Sequence, residues 1–241
     1  MQAIILAGGV GSRLRPITNE IPKPMVNMIN KPVLYFIIEL LKKHNITDIG
    51  LTLNYKASAI SDYFGDGADI GVKLSYFIEE SPLGTAGSVK AAAENLDENF
   101  LVISGDAFTE INLTEFKREH MAHKSLATIA VKEVEDATGF GVVKVQNGII
   151  IDFIEKPLNP TEKLVNTGIY MFKREILSKI PNGFYDFGRD LLPRLIGNMR
   201  AYVTDEYWSD IGTLKSYYTT NLYLADHMQN YDFISSATPV S

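Results

Sequence analysis

The order of apolar segments predicts an α/β protein: a doubly wound, mainly parallel, Rossmann-like mixed sheet. Two features carry that expectation. Residues 3–7 (Ala-Ile-Ile-Leu-Ala) and 100–103 (Phe-Leu-Val-Ile) are short, unbroken apolar runs followed at once or within two residues by glycine, as strands covered on both faces are. Between such runs lie stretches of helical period, and that alternation is what a parallel sheet with crossover helices requires.

Residues 3–7 are expected to form a central strand. In the next segment Pro32 is placed in an early helical turn behind Asn30 as a cap, with Val33, Phe36, Ile37, Leu40 and Leu41 recurring on one face. Residues 49–53 read as a strand, 57–64 as a short helix, 72–78 as a strand and the alanine-rich 86–94 as a helix. A helix over 114–122 and a strand over 126–131 continue the series. From about residue 139 the spacing tightens. Strands 141–145 and 149–154 flank Asn147-Gly148, a dipeptide suited to a two-residue hairpin turn. A strand over 166–172, a helix over 190–196 and a closing helix over 214–228 follow. The expected organisation is one domain over 1–230, with halves meeting near 138/139, and a tail over 231–241 whose 235–239 stretch is polar.

Composition narrows the functional classes. The chain has 241 residues, a formal net charge of −6 and no cysteine, so disulfides, thiolate nucleophiles and cysteine-ligated metals are excluded. Lysines and arginines are scattered, which argues against a nucleic-acid surface. No basic leader precedes the first glycines and no apolar run reaches the roughly 20 residues that span a bilayer. A cytoplasmic protein without membrane contact is the expectation. The four histidines fall outside the motifs below and are expected at the surface, and no serine sits in a nucleophile elbow.

Chemistry concentrates where strands end, because ligands of such sheets bind beyond the carboxyl ends of the strands. The first strand runs into Gly8-Gly9-Val10-Gly11-Ser12-Arg13-Leu14-Arg15-Pro16. Glycines allow backbone N–H groups close to phosphate oxygens, and arginine offers a planar fork to the same group. The Walker pattern lacks its Gly-Lys-Ser/Thr ending here. The dinucleotide pattern fails because Leu14 replaces the third glycine and Pro16 opposes a helix start. Pro22-Lys23-Pro24 then restricts the backbone on both sides of one lysine. Alone, that tripeptide reads as a surface turn.

Together, LAGGVGSRLRP and the following IPKP resemble the opening motif of the sugar-phosphate nucleotidyltransferase family, and the remaining motifs follow in family order up to residue 213. The resemblance implies a glycosyltransferase-A-like fold, with a nucleotide half before about 138 and a sugar-phosphate half after it. It assigns the triphosphate to Leu6, Ala7, Gly8, Gly9, Gly11, Ser12 and Arg13, with Lys23 neutralising phosphate charge. Gly84, Thr85 and Gly87 are implied to lie against base and ribose. Asp106 and Asp210, each of which alone reads as a cap or turn former, are implied to hold Mg2+. Glu155 and Lys156, by themselves a charged strand end, are implied to meet sugar hydroxyls and the sugar phosphate, with Gly141, Asn166 and Thr167 completing that pocket.

On this reading the catalytic set is Arg13, Lys23, Asp106, Lys156 and Asp210, and the cofactor is Mg2+. A sugar 1-phosphate is already anionic near neutral pH, so attack on an α-phosphate needs no general base. The partners are the two small-molecule substrates, and a homo-oligomer is compatible with them. Gly84-Thr85-Ala86-Gly87, Pro24-Met25-Val26 and residues 166–170 most resemble the mannose-1-phosphate guanylyltransferase branch, which implies GTP and mannose 1-phosphate. UTP or dTTP with glucose 1-phosphate is the alternative, and a non-catalytic sugar-nucleotide sensor is the rival of another class. The chain departs from the family pattern at Leu214, where proline often stands, and ends near the point where longer relatives continue into a left-handed β-helix.

Overall fold

Alternate residues of the first strand are buried on opposite sides of the sheet: Ala3 and Ile5 pack into one apolar cluster and Ile4 into another. The computed structural model describes residues 1–94 and 96–234. In chain order the elements are β1 (Ala3–Leu6), β2 (Asn27–Met28), β3 (Lys31–Pro32), α1 (Val33–Lys43), β4 (Asp48–Leu53), α2 (Ala57–Phe64), β5 (Lys73–Ile78) and α3 (Gly84–Ala91). There follow β6 (Asn99–Ser104), β7 (Ala107–Thr109), α4 (Leu113–Met121), β8 (Ala127–Glu133), β9 (Val142–Gln146) and β10 (Ile149–Ile154). The last elements are β11 (Leu164–Lys173), β12 (Met199–Val203), β13 (Trp208–Asp210) and α5 (Leu214–Asp226).

Among the described residues nine strands form one sheet in the order β5-β4-β1-β6-β11-β8-β12-β10-β9. The first four run parallel, as expected for the doubly wound half. β11 enters antiparallel to both β6 and β8, and the hairpin of β9 and β10 closes the far edge. Its residues also alternate between faces: Tyr170 and Phe172 join the cluster that holds Phe100 and Val102, while Ile169 and Met171 join the one that holds Leu101 and Ile103. Each fully buried side chain of this kind contributes about 1.5–3 kcal/mol relative to exposure, so a sheet covered on both faces needs little else to hold it. A third cluster gathers Phe36, Phe108, Ile211 and Leu224 around α5.

Several expectations need correction. Asn30 does not cap α1; Pro32, in extended conformation, is the cap, because Lys31 and Pro32 pair with Asn27 and Met28 and the chain enters the helix from that small hairpin. The helix expected over 190–196 is a π turn, Phe187–Leu191, followed by a 3-10 turn, Leu192–Leu195. Pro193 has no N–H to continue an α ladder there, and Asp186 caps the π turn by accepting from the Arg189 amide. Strand β12 and the paired short strands β7 and β13 lie outside the sequence reading. Residues 231–234, placed in the tail, join the fold: Tyr231 and Phe233 pack edge-on against Phe36, and Ile234 is buried. Positions 235–239 lie outside the described residues. No described helix is long and apolar enough to cross a membrane.

His120 also departs from expectation, being 1% exposed rather than at the surface. Its ring nitrogens meet Thr128 Oγ1 at 2.8 Å and Asn99 Oδ1 at 3.1 Å. Burial, with the nearby Lys173 charge, pushes its pKa down to about 4. The unfolded chain therefore binds the extra proton first, and stability contributed by neutral His120 is present above pH 6.5 and lost as pH falls toward 4. Urea unfolding of wild type and His120→Asn between pH 7 and 4 checks this: the wild type should lose up to ~3 kcal/mol more than the variant over that window.

Candidate active site

Asp106 and Asp210 come together because two short strands pair. In the antiparallel ladder of β7 and β13, Ala107 stands opposite Asp210, and the Ile211 amide donates to the Asp106 carbonyl at 3.0 Å. The Tyr207 carbonyl, just before β13, accepts from the Glu110 amide at 2.9 Å and from Thr109 Oγ1 at 3.1 Å. Trp208 Nε1 donates to the Thr167 carbonyl at 3.0 Å, tying the ladder to β11. Ser104 Oγ donates to Asp106 Oδ1 at 2.6 Å, which fixes the carboxylate at the end of β6.

Lys23 supplies the matching charge. It opens a 3-10 turn, Lys23–Met25, behind extended Pro22, and its ammonium lies 2.6 Å from Asp106 Oδ2 and 2.8 Å from Asp210 Oδ1. Only 6% of the residue is exposed. Gly11 makes this approach possible: at φ +70°, a Cβ on it would stand 2.9 Å from Lys23 Cβ. Thr18 Oγ1 holds that turn by donating to the Gly11 carbonyl at 2.7 Å. Burial opposes a charged ammonium, yet the two carboxylates outweigh it and raise the Lys23 pKa. Burial likewise opposes ionisation of Asp106, but the Lys23 charge and the Ser104 hydroxyl hold its carboxyl below the usual range. Asp210 is pushed upward by burial and by the Asp106 charge beside it, with Lys23 pulling the other way. Arg13, largely exposed, reaches to 3.8 Å from Asp210 Oδ2.

The opposite wall is built at the end of β10. Lys156 Nζ pairs with Glu155 Oε1 at 3.1 Å. A Cβ on Gly188 would collide with Glu155 Oε2, so the π turn packs its bare backbone against that carboxylate. Asn166 donates through its amide nitrogen to the Gly141 carbonyl and through Nδ2 to Tyr170 Oη, both at 2.8 Å. Thr85 Oγ1 donates to Asp186 Oδ2 at 2.9 Å and accepts from the Phe187 amide at 2.8 Å, joining α3 to the π turn.

These walls enclose one cleft of about 260 Å3. The predicted Arg13, Lys23, Asp106 and Asp210 line it together with Leu6 and Thr85, and Gly141, Glu155, Lys156, Asn166 and Thr167 line its other side. Thr167 does so with its hydroxyl turned away, donating to the Ala130 carbonyl at 2.7 Å. Ala7, Gly8, Gly9, Gly11 and Ser12 do not line the cleft. Ala7 is buried and donates to the Thr52 carbonyl, and Gly11 acts through Lys23. Gly84 and Gly87 are likewise outside it. Their bare faces press on backbone of residues 183–185, and the Gly87 amide is already bonded to the Tyr185 carbonyl at 2.9 Å, so their smallness serves helix packing. Sequence reasoning missed Ser104 and the lining residues Asp186, Phe187 and Gly188. Ser104 carried a usable signal, since it directly precedes Gly105-Asp106 at a strand end; the π turn carried none.

A family model described as nucleotidyl transferase matches residues 2–227. D-glycero-alpha-D-manno-heptose 1-phosphate guanylyltransferase of Campylobacter jejuni is 36% identical over 221 residues, covering 90% of this chain and 97% of that protein. The chain belongs to the sugar-phosphate nucleotidyltransferase family. Another family member, the UTP–glucose-1-phosphate uridylyltransferase of Synechocystis, is 38% identical over 90% of this chain; the match spans 62% of that longer protein. A probable mannose-1-phosphate guanylyltransferase of Oryza sativa is 33% identical over 93% of this chain, again spanning only part, 65%, of the relative. Among solved structures, HddC from Yersinia pseudotuberculosis superimposes with a TM-score of 0.82 at 32% identity, covering 92% of this chain and 99% of that one. The α/β fold and the mixed sheet are those of the family.

Removing the shared ammonium should leave two close carboxylates without a counter-ion. Lys23→Met is expected to cost about 3–5 kcal/mol of stability at pH 7. The loss should shrink toward pH 4, where the released carboxyls take up protons. Chemical unfolding at the two pH values measures both.

Proposed function

We propose that this sugar-phosphate nucleotidyltransferase transfers a guanylyl group from GTP to a manno-configured sugar 1-phosphate, mannose 1-phosphate first, and releases pyrophosphate. The observation that carries the nucleotidyl-transfer reading is the convergence of Arg13, Lys23, Asp106, Asp210 and Lys156 on a single cleft. Support for guanine and for the manno configuration comes from the guanylyltransferases among the relatives. A second reading, uridylyl transfer to glucose 1-phosphate, is favoured by the Synechocystis relative.

Two polyanions that repel each other have to be held in line, and the departing pyrophosphate has to be neutralised. Lys156 aims the sugar phosphate, whose oxygen is already anionic and attacks without a general base. Glu155 accepts from sugar hydroxyls. Arg13 neutralises the β- and γ-phosphates and Lys23 the α-phosphate. The glycine loop, which joins the lining residues Leu6 and Arg13, offers backbone N–H groups to the triphosphate at the rim of the cleft, and of α3 it is Thr85 that lies on the side of base and ribose.

The donor set of the cleft fits magnesium. Two carboxylates, both partly open to the cleft, already converge on one cation, and this ion is held by one or two carboxylates together with phosphate oxygens and water. Among the described residues no cluster of three or more acidic or histidine side chains is found, so substrate phosphate has to complete the shell. When bound at Asp106 and Asp210, Mg2+ supplies charge neutralisation at the phosphates. With substrates of this kind the protein is assigned to the cytoplasm, apart from nucleic acid and membrane.

Pyrophosphate release is the test, using GTP, UTP and dTTP against mannose, manno-heptose and glucose 1-phosphates with Mg2+. Highest kcat/KM for GTP with a manno sugar is expected. Preference for UTP and glucose 1-phosphate supports the second reading, and binding without turnover supports a sensor. Lys156→Ala should raise KM for the sugar phosphate by about tenfold or more while changing KM for the nucleotide less than about threefold. Gly188→Ala, which displaces the Glu155 carboxylate, should raise the same KM with little change in thermal midpoint.

A further inference from the structure

Lys23 stands where a divalent cation would stand. Its ammonium contacts one oxygen of each aspartate, with a side chain 7% exposed, while the carboxylates of Asp106 and Asp210 are 29% and 24% exposed. A ligand arriving from the cleft therefore meets more of the carboxylates than of the lysine, although all three line it. Mg2+ binds oxygen at roughly 2.0–2.1 Å. An ion at that distance from the same two oxygens would lie within about 5 Å of the ammonium, where like charges in a partly dry site repel strongly. Both cations cannot keep their best positions.

The backbone is restrained on both sides. Pro22 and Pro24 flank Lys23, and the Val26 amide donates to its carbonyl at 3.1 Å. Gly11 packs against Cβ and Cγ of the stem. What remains free to swing is the outer part of the side chain, Cδ to Nζ.

We propose that Lys23 is a place-holder cation: its ammonium keeps Asp106 and Asp210 in register before substrates arrive, competes with the divalent ion for them, and on displacement turns to the nucleotide phosphate. The proposal rests on the metal role given above to the two aspartates. Its consequence is positive coupling, because a nucleotide that accepts the displaced ammonium makes room for metal, and metal that displaces the ammonium makes it available to the nucleotide. A lysine serving only as a phosphate contact would leave the binding of metal alone unaffected.

The test measures Mn2+ binding to the whole chain by electron paramagnetic resonance, first without nucleotide. Lys23→Met should bind Mn2+ about tenfold tighter than wild type or better, and the further tightening caused by GTP should shrink relative to wild type. Equal or weaker Mn2+ affinity in the folded variant would overturn the proposal. Wild-type protein labelled with 15N-lysine decides the matter even if Lys23→Met does not fold. A slowly exchanging ammonium resonance is expected in EDTA; it should be lost as MgCl2 is added without GTP and move to a new shift when GTP is also present, and a resonance unchanged throughout would also overturn it. Neither readout requires turnover. Failure of the pyrophosphate assay with the Mn2+ result intact would count against the assigned reaction alone, and turnover with unaltered Mn2+ affinity would count against the place-holder alone.

Discussion

Three charged side chains from three distant parts of the chain meet at Lys23, and the rest of the structure is arranged so that they can. An ammonium 6% exposed is tolerable in a protein interior only when carboxylates face it at hydrogen-bond distance, and carboxylates as close as Asp106 and Asp210 are tolerable only with a cation between them. Each side of the triad is the condition for the other. The glycine turn that admits the lysine stem, the two prolines around it and the short ladder of β7 and β13 all serve this one contact. The sheet beneath supplies a fixed edge, since β6 is buried on both faces and delivers Ser104 and Asp106 at its end.

The triad also sets the charge pattern of the cleft. Arg13 and Lys156 add positive charge on either side of a pair of acids whose own charge is partly cancelled from within. Counted with Lys23, these cations face four acids on the lining, Asp106, Glu155, Asp186 and Asp210, so the charge that would admit a phosphate has to be completed by a bound divalent ion. The wall formed by Glu155 and the π turn lies across from it, and Thr85 bridges the two through Asp186. The two walls of the cleft are therefore joined by hydrogen bonds as well as by the shared sheet.

Much of this was legible in the sequence, for physical reasons. Strands buried on both faces have to be continuously apolar, so β1 and β6 announced themselves, and the polar residues just after them named Arg13 and Asp106. The hairpin of β9 and β10 was fixed by Asn147-Gly148, and Glu155-Lys156 stood at its end. Other features were hidden because they depend on contacts distant in sequence. Nothing local to residues 187–191 marks a π turn, so Asp186 and Gly188 escaped notice. The smallness of Gly84 and Gly87 is equally compatible with a flat base and with a neighbouring backbone, and only the packing against residues 183–185 distinguishes them. Burial of His120 likewise follows from Asn99 and Thr128 lying on β6 and β8, the two strands on either side of β11.

In the proposed reaction charge and position alone drive the transfer, with the sugar phosphate attacking the α-phosphorus directly and no protein group bonded to it along the way. Stereochemistry at that atom tests it most directly. With a single diastereomer of GTP bearing sulfur on the α-phosphate, one in-line displacement predicts complete inversion in the nucleotide-sugar product. Retention would mean two successive displacements through a covalent nucleotidyl-protein, and would contradict the account.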